Sequence, residues 1–207
     1  MNRKRKVATV MFTDIEGYTA LMQRDEEEGI RIRDRHREIF QSITLKYGGE
    51  IIQYFGDGTL SIFEQAKDAV TCSIELQMRF LEAPAIPVRI GMHKGYIVQD
   101  EYDIIGDAVN IASRVEGMAE AGSVLLSTKV FEEIQETCEV KLISMGKFRL
   151  KNDAQERELF AVEAHCLRVP SREKLLLKVA RPQSRNGLDQ RQFFLAFLHK
   201  LWRAPST

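Results

Sequence analysis

Cysteine is scarce in this 207-residue chain: there are three, Cys72, Cys138 and Cys166, an odd number with no Cys-x-x-Cys pair. That argues against a disulfide framework or a thiolate zinc site and suits a reducing, cytoplasmic setting. Long apolar runs are missing too. The stretch FFLAFLHKLW is too short to cross a bilayer and contains His199 and Lys200, so no membrane span is expected. The basic start MNRKRK runs into VATVMFTD, which has the length of a strand and no small-residue cleavage site, so it does not read as a signal peptide. Net charge is absent, with 30 Lys and Arg against 30 Asp and Glu. The balance hides an asymmetry: residues 165–207 hold nine basic and two acidic residues, leaving 21 basic and 28 acidic in residues 1–164. A basic tail of this size reads first as a solvated segment or a partner contact.

The apolar pattern predicts an α+β domain over residues 1–164. Val7 to Thr13 reads as a buried strand, and Tyr18 to Lys46 as one amphipathic helix stopped by Gly48 and Gly49. Glu50 to Phe55 and Thr59 to Phe63 read as strands joined by a Gly56-Asp57-Gly58 turn. A helix over Ala66 to Glu82 and a strand over Val88 to His93 complete the order βαββαβ, the ferredoxin-like split βαβ unit. A turn stretch at Tyr96 to Tyr102, a helix at Asp107 to Ala119, a strand at Ser123 to Ser127 and a short helix at Lys129 to Glu136 follow. Two further C-terminal strands near Val140 to Leu150 and Glu158 to Val162 close the body. Residues 165–207 read as a basic linker followed by a short amphipathic helix at Arg191 to Arg203. Its Phe193, Phe194, Phe197 and Trp202 are spaced for an apolar groove rather than for base stacking, so no nucleic-acid partner is expected. There is no internal repeat.

Asp14 closes the first strand and Asp57 lies in the turn between the second and third, so adjacent strands bring the two carboxylates within reach of shared metal ions. Magnesium-like cations take oxygen ligands, typically one or two carboxylates plus substrate phosphates, and such a pair suits two-metal phosphoryl chemistry. The pair is equally compatible with local chemistry: Gly-Asp-Gly is a common turn, and Asp14 suits a helix cap. In GDAVNIASR, Asn110 and Arg114 are four apart and share a helix face. A guanidinium fork there suits charge developing on a phosphoryl group, although a helix standing alone would leave Arg114 to a surface ion pair.

Together FTDIEGYTAL, YFGDG and YDIIGDAVNIASR resemble the class III adenylate and guanylate cyclase catalytic domain, over roughly Val7 to Val162. The resemblance implies that Asp14 and Asp57, with the backbone carbonyl of Ile15, hold two divalent ions, Mg2+ or Mn2+. It implies that Asn110 orients the ribose, that Arg114 stabilises the transition state at the α-phosphate, and that Lys151 in GKFRLKN contacts the phosphates. It also implies a homodimer about a two-fold axis, the metal carboxylates of each site coming from one chain and the remaining groups from the other. The expected activity is conversion of ATP to 3′,5′-cyclic AMP and pyrophosphate, with a guanylate or dual-specificity cyclase, or an inactive cyclase-like interaction domain, as alternatives.

Several positions depart from the family pattern. Gln53 stands where a base-selecting lysine is common, opposite Asp103. Asp103 accepts from the exocyclic amine of adenine and repels the guanine carbonyl, whereas the Gln53 amide presents either end, so ATP is favoured with weaker exclusion of GTP. Tyr96 replaces an arginine that reaches the terminal phosphate in some relatives, leaving Lys94 as a possible substitute. The arm at Gly95 to Tyr102 is short, and no sensor domain is expected before the first strand, so regulation is expected from the tail, a partner or the metal. His93 is read as a packed strand-end residue, not a general base. Other palm-like enzymes and an interaction module held by the basic tail are competing readings; the NIASR helix and the intact set of Asp14, Asp57, Asn110 and Arg114 weigh against them.

Overall fold

The structure, a computed structural model, describes residues 3–100 and 103–180. Strand β1 (Lys4–Ile15) is longer at both ends than its apolar stretch because it pairs with β4 (Val88–Gln99) over its whole length, from Lys4 against Gln99 to Ile15 against Val88. The expected single helix is two, α1 (Tyr18–Arg24) and α2 (Glu26–Lys46), broken at Asp25. Asp25 has extended backbone and its carboxylate accepts from the Glu28 N–H at 3.0 Å, capping α2 ahead of three consecutive glutamates that favour a helix N-terminus.

Strands β2 (Glu50–Phe55) and β3 (Gly58–Phe63) form the expected hairpin. Helix α3 (Ala66–Leu81) leads to β4, then come β5 (Ile104–Ile105), α4 (Asp107–Met118), β6 (Val124–Ser127), α5 (Thr128–Ile134), β7 (Lys141–Arg149) and β8 (Glu156–Glu163). The stretch expected as a turn from Tyr96 belongs to β4 as far as Gln99, and Ile104 and Ile105 of β5 pair back onto it. The sheet order is β2-β3-β1-β4-β6-β8-β7, so the split βαβ unit occupies one half and the C-terminal strands extend it past β4.

Alternation along β1 assigns its residues to two faces. Met11 and Ile15 join a core with Phe40 of α2, Leu76 and Phe80 of α3 and Val130 of α5. Ala8, Val10 and Phe12 join one with Ala108, Val109 and Ala112 of α4. Asp14, two residues beyond Phe12, therefore belongs to the α4 face.

Residues 165–180, expected as linker, contain helix α6 (Arg172–Ala180), which docks on the body. Its Leu175 is fully buried in a cluster with Ile111, Val115 and Met118 of α4 and Phe148 and Leu159 of the last two strands. Burial of that leucine supplies the stability that the segment's composition does not advertise. The amphipathic helix expected at Arg191 to Arg203 lies outside the described residues. Among the described residues no helix is long and apolar enough to cross a membrane.

Candidate active site

Continuing the β1–β3 register one step past Thr13 and Thr59 sets Asp14 across from Gly58, beside Asp57. Asp14 does not cap the helix that follows: the N-cap of α1 is Gly17, with no side-chain cap bond. Asp57 is the second residue of a two-residue hairpin loop whose ends, Phe55 and Gly58, are paired. Gly56 precedes it with φ 56°, the positive value at the first loop position that a type II′ hairpin requires and that glycine takes without strain. Arg37 of α2 pins the turn by donating to the Gly56 carbonyl at 2.9 Å, with its guanidinium over the Tyr54 ring at 5.0 Å.

Asp14 is only 4% exposed, and a cation meets it. Arg89, its partner in the β1–β4 register, donates to Asp14 Oδ2 from Nε at 3.0 Å and Nη2 at 2.5 Å. Arg89 Nε also lies 2.7 Å from Glu116 Oε1 of α4, an ion-pair contact outside hydrogen-bond geometry because the proton is directed at Asp14. Glu116 is 1% exposed. Neither residue was singled out in the sequence. The available signals were an arginine inside an apolar strand and a glutamate on the buried face of an amphipathic helix.

Helix α4 reaches this position because β4 carries glycine where the helix lies on it. A Cβ on Gly91 would stand 2.0 Å from the Glu116 backbone nitrogen, and one on Gly95 would stand 3.0 Å from the Ala108 Cβ. The eight helical residues between these contacts rise about 12 Å and the four strand residues about 13 Å, so α4 runs antiparallel along β4 in register. Gly106, at φ 152° and with the Tyr96 carbonyl 2.7 Å from where a Cβ would be, starts the helix in equally close contact.

Ala108, Ala112, Val115 and Glu116 are buried, which puts Asn110 and Arg114 on the other side of the helix, where both are half-buried. Arg114 Nη1 lies 4.0 Å from Asp153 Oδ2, the outer limit of an ion pair, while Arg157 bonds Asp153 and holds its carboxyl below the usual range. Asp153 belongs to the β7–β8 turn, which also carries exposed Lys151, so Arg114 and Lys151 converge on one region.

Asp103 lies at the far end of β4 from Asp14, next to β5. Its Oδ1 accepts from the Ile104 N–H at 2.8 Å, and partial burial pushes its carboxyl upward. Gln99 Nε2 in the same region donates at 2.5 Å to Glu50 Oε1, the first residue of the strand that holds Gln53. Two groupings result: Asp14, Ile15 and Asp57 at one end of β1, with Gln53 on the same hairpin as Asp57 and level with Phe12, and Asp103 toward the other end of β4.

Two other sequence candidates are engaged elsewhere. Lys94 is ion-paired with Glu133 of α5, on the face of the sheet away from α4, which removes it as a phosphate ligand in this arrangement. His93 is buried with Nδ1 2.7 Å from Ser127 Oγ, and desolvation takes its imidazole down to about 4, as suits a neutral packed residue.

A divalent ion at the first grouping would meet hard oxygen donors alone. Among the described residues no cluster of three or more His, Cys, Asp and Glu side chains is built to hold a metal. An ion of the magnesium type takes few protein ligands and completes its shell with water and phosphate. A carboxylate offers about four lone-pair sites, so one guanidinium and one cation can share Asp14.

The adenylate and guanylate cyclase catalytic domain family matches residues 1–164. A Rhizobium meliloti protein named putative adenylate cyclase 3 is 30% identical over 157 residues, 72% of this chain and 27% of that protein. Adenylate cyclase 1 of the same organism is 28% identical over 76% of this chain and 28% of its own length. The chain thus aligns with little more than a quarter of either relative. Among solved structures, the adenylyl cyclase CyaB from P. aeruginosa superimposes with TM-score 0.72 at 26% identity, over 81% of this chain and 100% of that one. The adenylate/guanylate cyclase/hydrolase from Silicibacter pomeroyi gives 0.73 at 29% identity, over 79% and 99%. With the family model matching residues 1–164 and the fold shared over 79–81% of the chain, the chain belongs to the adenylate and guanylate cyclase catalytic domain family.

Proposed function

We propose that this domain closes ATP to 3′,5′-cyclic AMP with release of pyrophosphate, at sites assembled from two copies of the chain. The observation that carries the reading is the separation within one fold of Asp14 from Asp103, the carboxylate assigned to the base. Asp14 pairs with the second residue of β4, whereas Ile104, next to Asp103, pairs with the last. About 33 Å of extended strand lies between those positions. Two copies about a two-fold axis bring the carboxylates of each to the base- and phosphate-binding groups of the other.

In the reaction the ribose 3′ oxygen bonds to the α-phosphorus while the bond to the pyrophosphate oxygen breaks. Two divalent ions, when bound, favour ionisation of the attacking hydroxyl and neutralise the triphosphate. Asp14, Asp57 and the Ile15 carbonyl hold those ions. Asn110 orients the ribose, and Arg114, only loosely engaged by Asp153, swings to the α-phosphate as negative charge develops there. Lys151, on the same turn as Asp153, binds the phosphates. No covalent intermediate is required; positioning and charge neutralisation do the work. Asp103 accepts from the adenine amine while Gln53 meets a ring nitrogen, so ATP is preferred and GTP is only weakly excluded.

The test is product analysis after incubating the purified chain with ATP or GTP in Mn2+ or Mg2+, beside Asp57→Ala and Arg114→Ala. Cyclic AMP is expected to form faster than cyclic GMP, Asp57→Ala to be inactive, and Arg114→Ala to lose on the order of 10²–10³-fold in kcat. Absence of a cyclic product from either nucleotide would overturn the proposal. A faster reaction with GTP would remove the base assignment alone.

A further inference from the structure

Two buried carboxylates, Asp14 and Glu116, share one guanidinium. Arg89 Nε is 3.0 Å from Asp14 Oδ2 and 2.7 Å from Glu116 Oε1, and both carboxylate side chains are nearly withdrawn from solvent while that of Arg89 is 25% exposed. The metal half-site assigns no task to Glu116. Its position is nonetheless tightly specified: Gly91 admits the Glu116 backbone where any other residue would collide with it, and Gly91 shares a strand face with Arg89 two residues before.

We propose that Glu116 is a positioning residue of the metal half-site, acting through Arg89 to leave Asp14 able to take a divalent cation. This rests on the reading of Asp14 as a metal carboxylate. A guanidinium bound to Asp14 alone would neutralise it, and an arriving cation would be repelled by Arg89 with no compensating charge. The second carboxylate changes both terms. It gives the triad a net charge of −1, and it offers Arg89 a partner already at ion-pair distance when a cation claims Asp14. Arg89 meanwhile keeps the two buried carboxylates from repelling each other in the absence of metal.

Of the surrounding charges, Lys178 feels Arg89, Glu16, Glu120 and Glu116 through space without an ion pair to any member of the triad. Lys178 of α6 donates to the carbonyls of Gly117 and Ala119 at the end of α4, and Lys174 lies 3.6 Å from Glu120. Glu16 accepts from the Ala121 N–H at 3.2 Å. Glu116 is thus the carboxylate placed to draw Arg89 away from Asp14, and it does so from α4, the helix that carries Asn110 and Arg114.

The test is Mn2+ binding to the purified chain without nucleotide, followed by the electron paramagnetic resonance signal of free Mn2+, for wild type, Glu116→Gln, Glu116→Asp and Asp14→Asn. Thermal unfolding is measured alongside. Glu116→Gln keeps shape and hydrogen-bonding capacity while setting the triad charge to zero. It is expected to weaken Mn2+ binding by about 10–100-fold, the usual effect of losing a group behind a metal ligand. Cyclase activity should return toward the wild-type kcat as Mn2+ is raised, and Glu116→Asp should recover part of the affinity. Unchanged Mn2+ affinity in Glu116→Gln, with Asp14→Asn weakened, would overturn this proposal and leave the metal assignment standing. Unchanged affinity in Asp14→Asn would instead overturn the metal assignment. Lost activity that raised Mn2+ does not restore, with a lowered unfolding temperature, would mean that Glu116 serves the fold alone.

Discussion

Asp14 and Glu116 are the two buried carboxylates among the described residues, and Arg89 touches both. Burying a charge is tolerated when a partner comes with it, and losing one member of such a set typically costs several kcal/mol, about 3–5. The buried histidines solve the same problem by staying neutral. His36 stacks on Phe80 at 5.0 Å with Thr13 Oγ1 3.4 Å from its Nε2, and desolvation takes it down to about 3. His93 is down at about 4 for the same reason. Both lie below the 6.5 of an unperturbed imidazole. Between about pH 6.5 and 4 the unfolded chain therefore binds protons that the folded chain refuses, so stability is present above this window and falls as pH drops through it. The slope reaches about 1.4 kcal/mol per pH unit for each histidine. Urea unfolding at pH 7 and pH 5 checks this: a lower unfolding free energy at pH 5 is expected, and equal values would contradict the buried, neutral assignment.

At the level of elements, α4 and α6 form the support behind the site. Leu175 anchors α6 against α4, the last two strands completing its pocket. Leu175→Ala is expected to cost about 2–5 kcal/mol in urea unfolding, the range for emptying a buried leucine site. A change below about 0.5 kcal/mol, typical of surface positions, would show that α6 is not docked as described. The sequence concealed this helix because its apolar residues are consecutive: Leu176 and Leu177 are exposed beside buried Leu175, so no amphipathic period stands out. The break at Asp25 was legible in principle, since Asp followed three residues later by Glu28 is an N-terminal signature, but the polar period of the helix continues across it. Features written in one short segment were readable: the paired strands, the Gly56-Asp57 turn, the shared face of Asn110 and Arg114. The Asp14–Arg89–Glu116 set joins three distant segments through strand register and helix docking, and no local pattern encodes it.

For the whole molecule, the sheet gives the domain two unlike ends. β1 delivers Asp14 and Ile15 beside the Asp57 turn, and β4 runs from Arg89 to the β5 pairing that carries Asp103. Neither grouping suffices for the proposed reaction, and joining them across two chains is the central claim. It is tested most directly by mixing inactive Asp57→Ala with strongly weakened Arg114→Ala. At equal concentrations with free exchange, half of the dimers are mixed and each holds one intact site of two, so about a quarter of wild-type cyclase activity is expected to return. No recovery, in a mixture shown by native mass spectrometry to contain mixed dimers, would contradict the shared site.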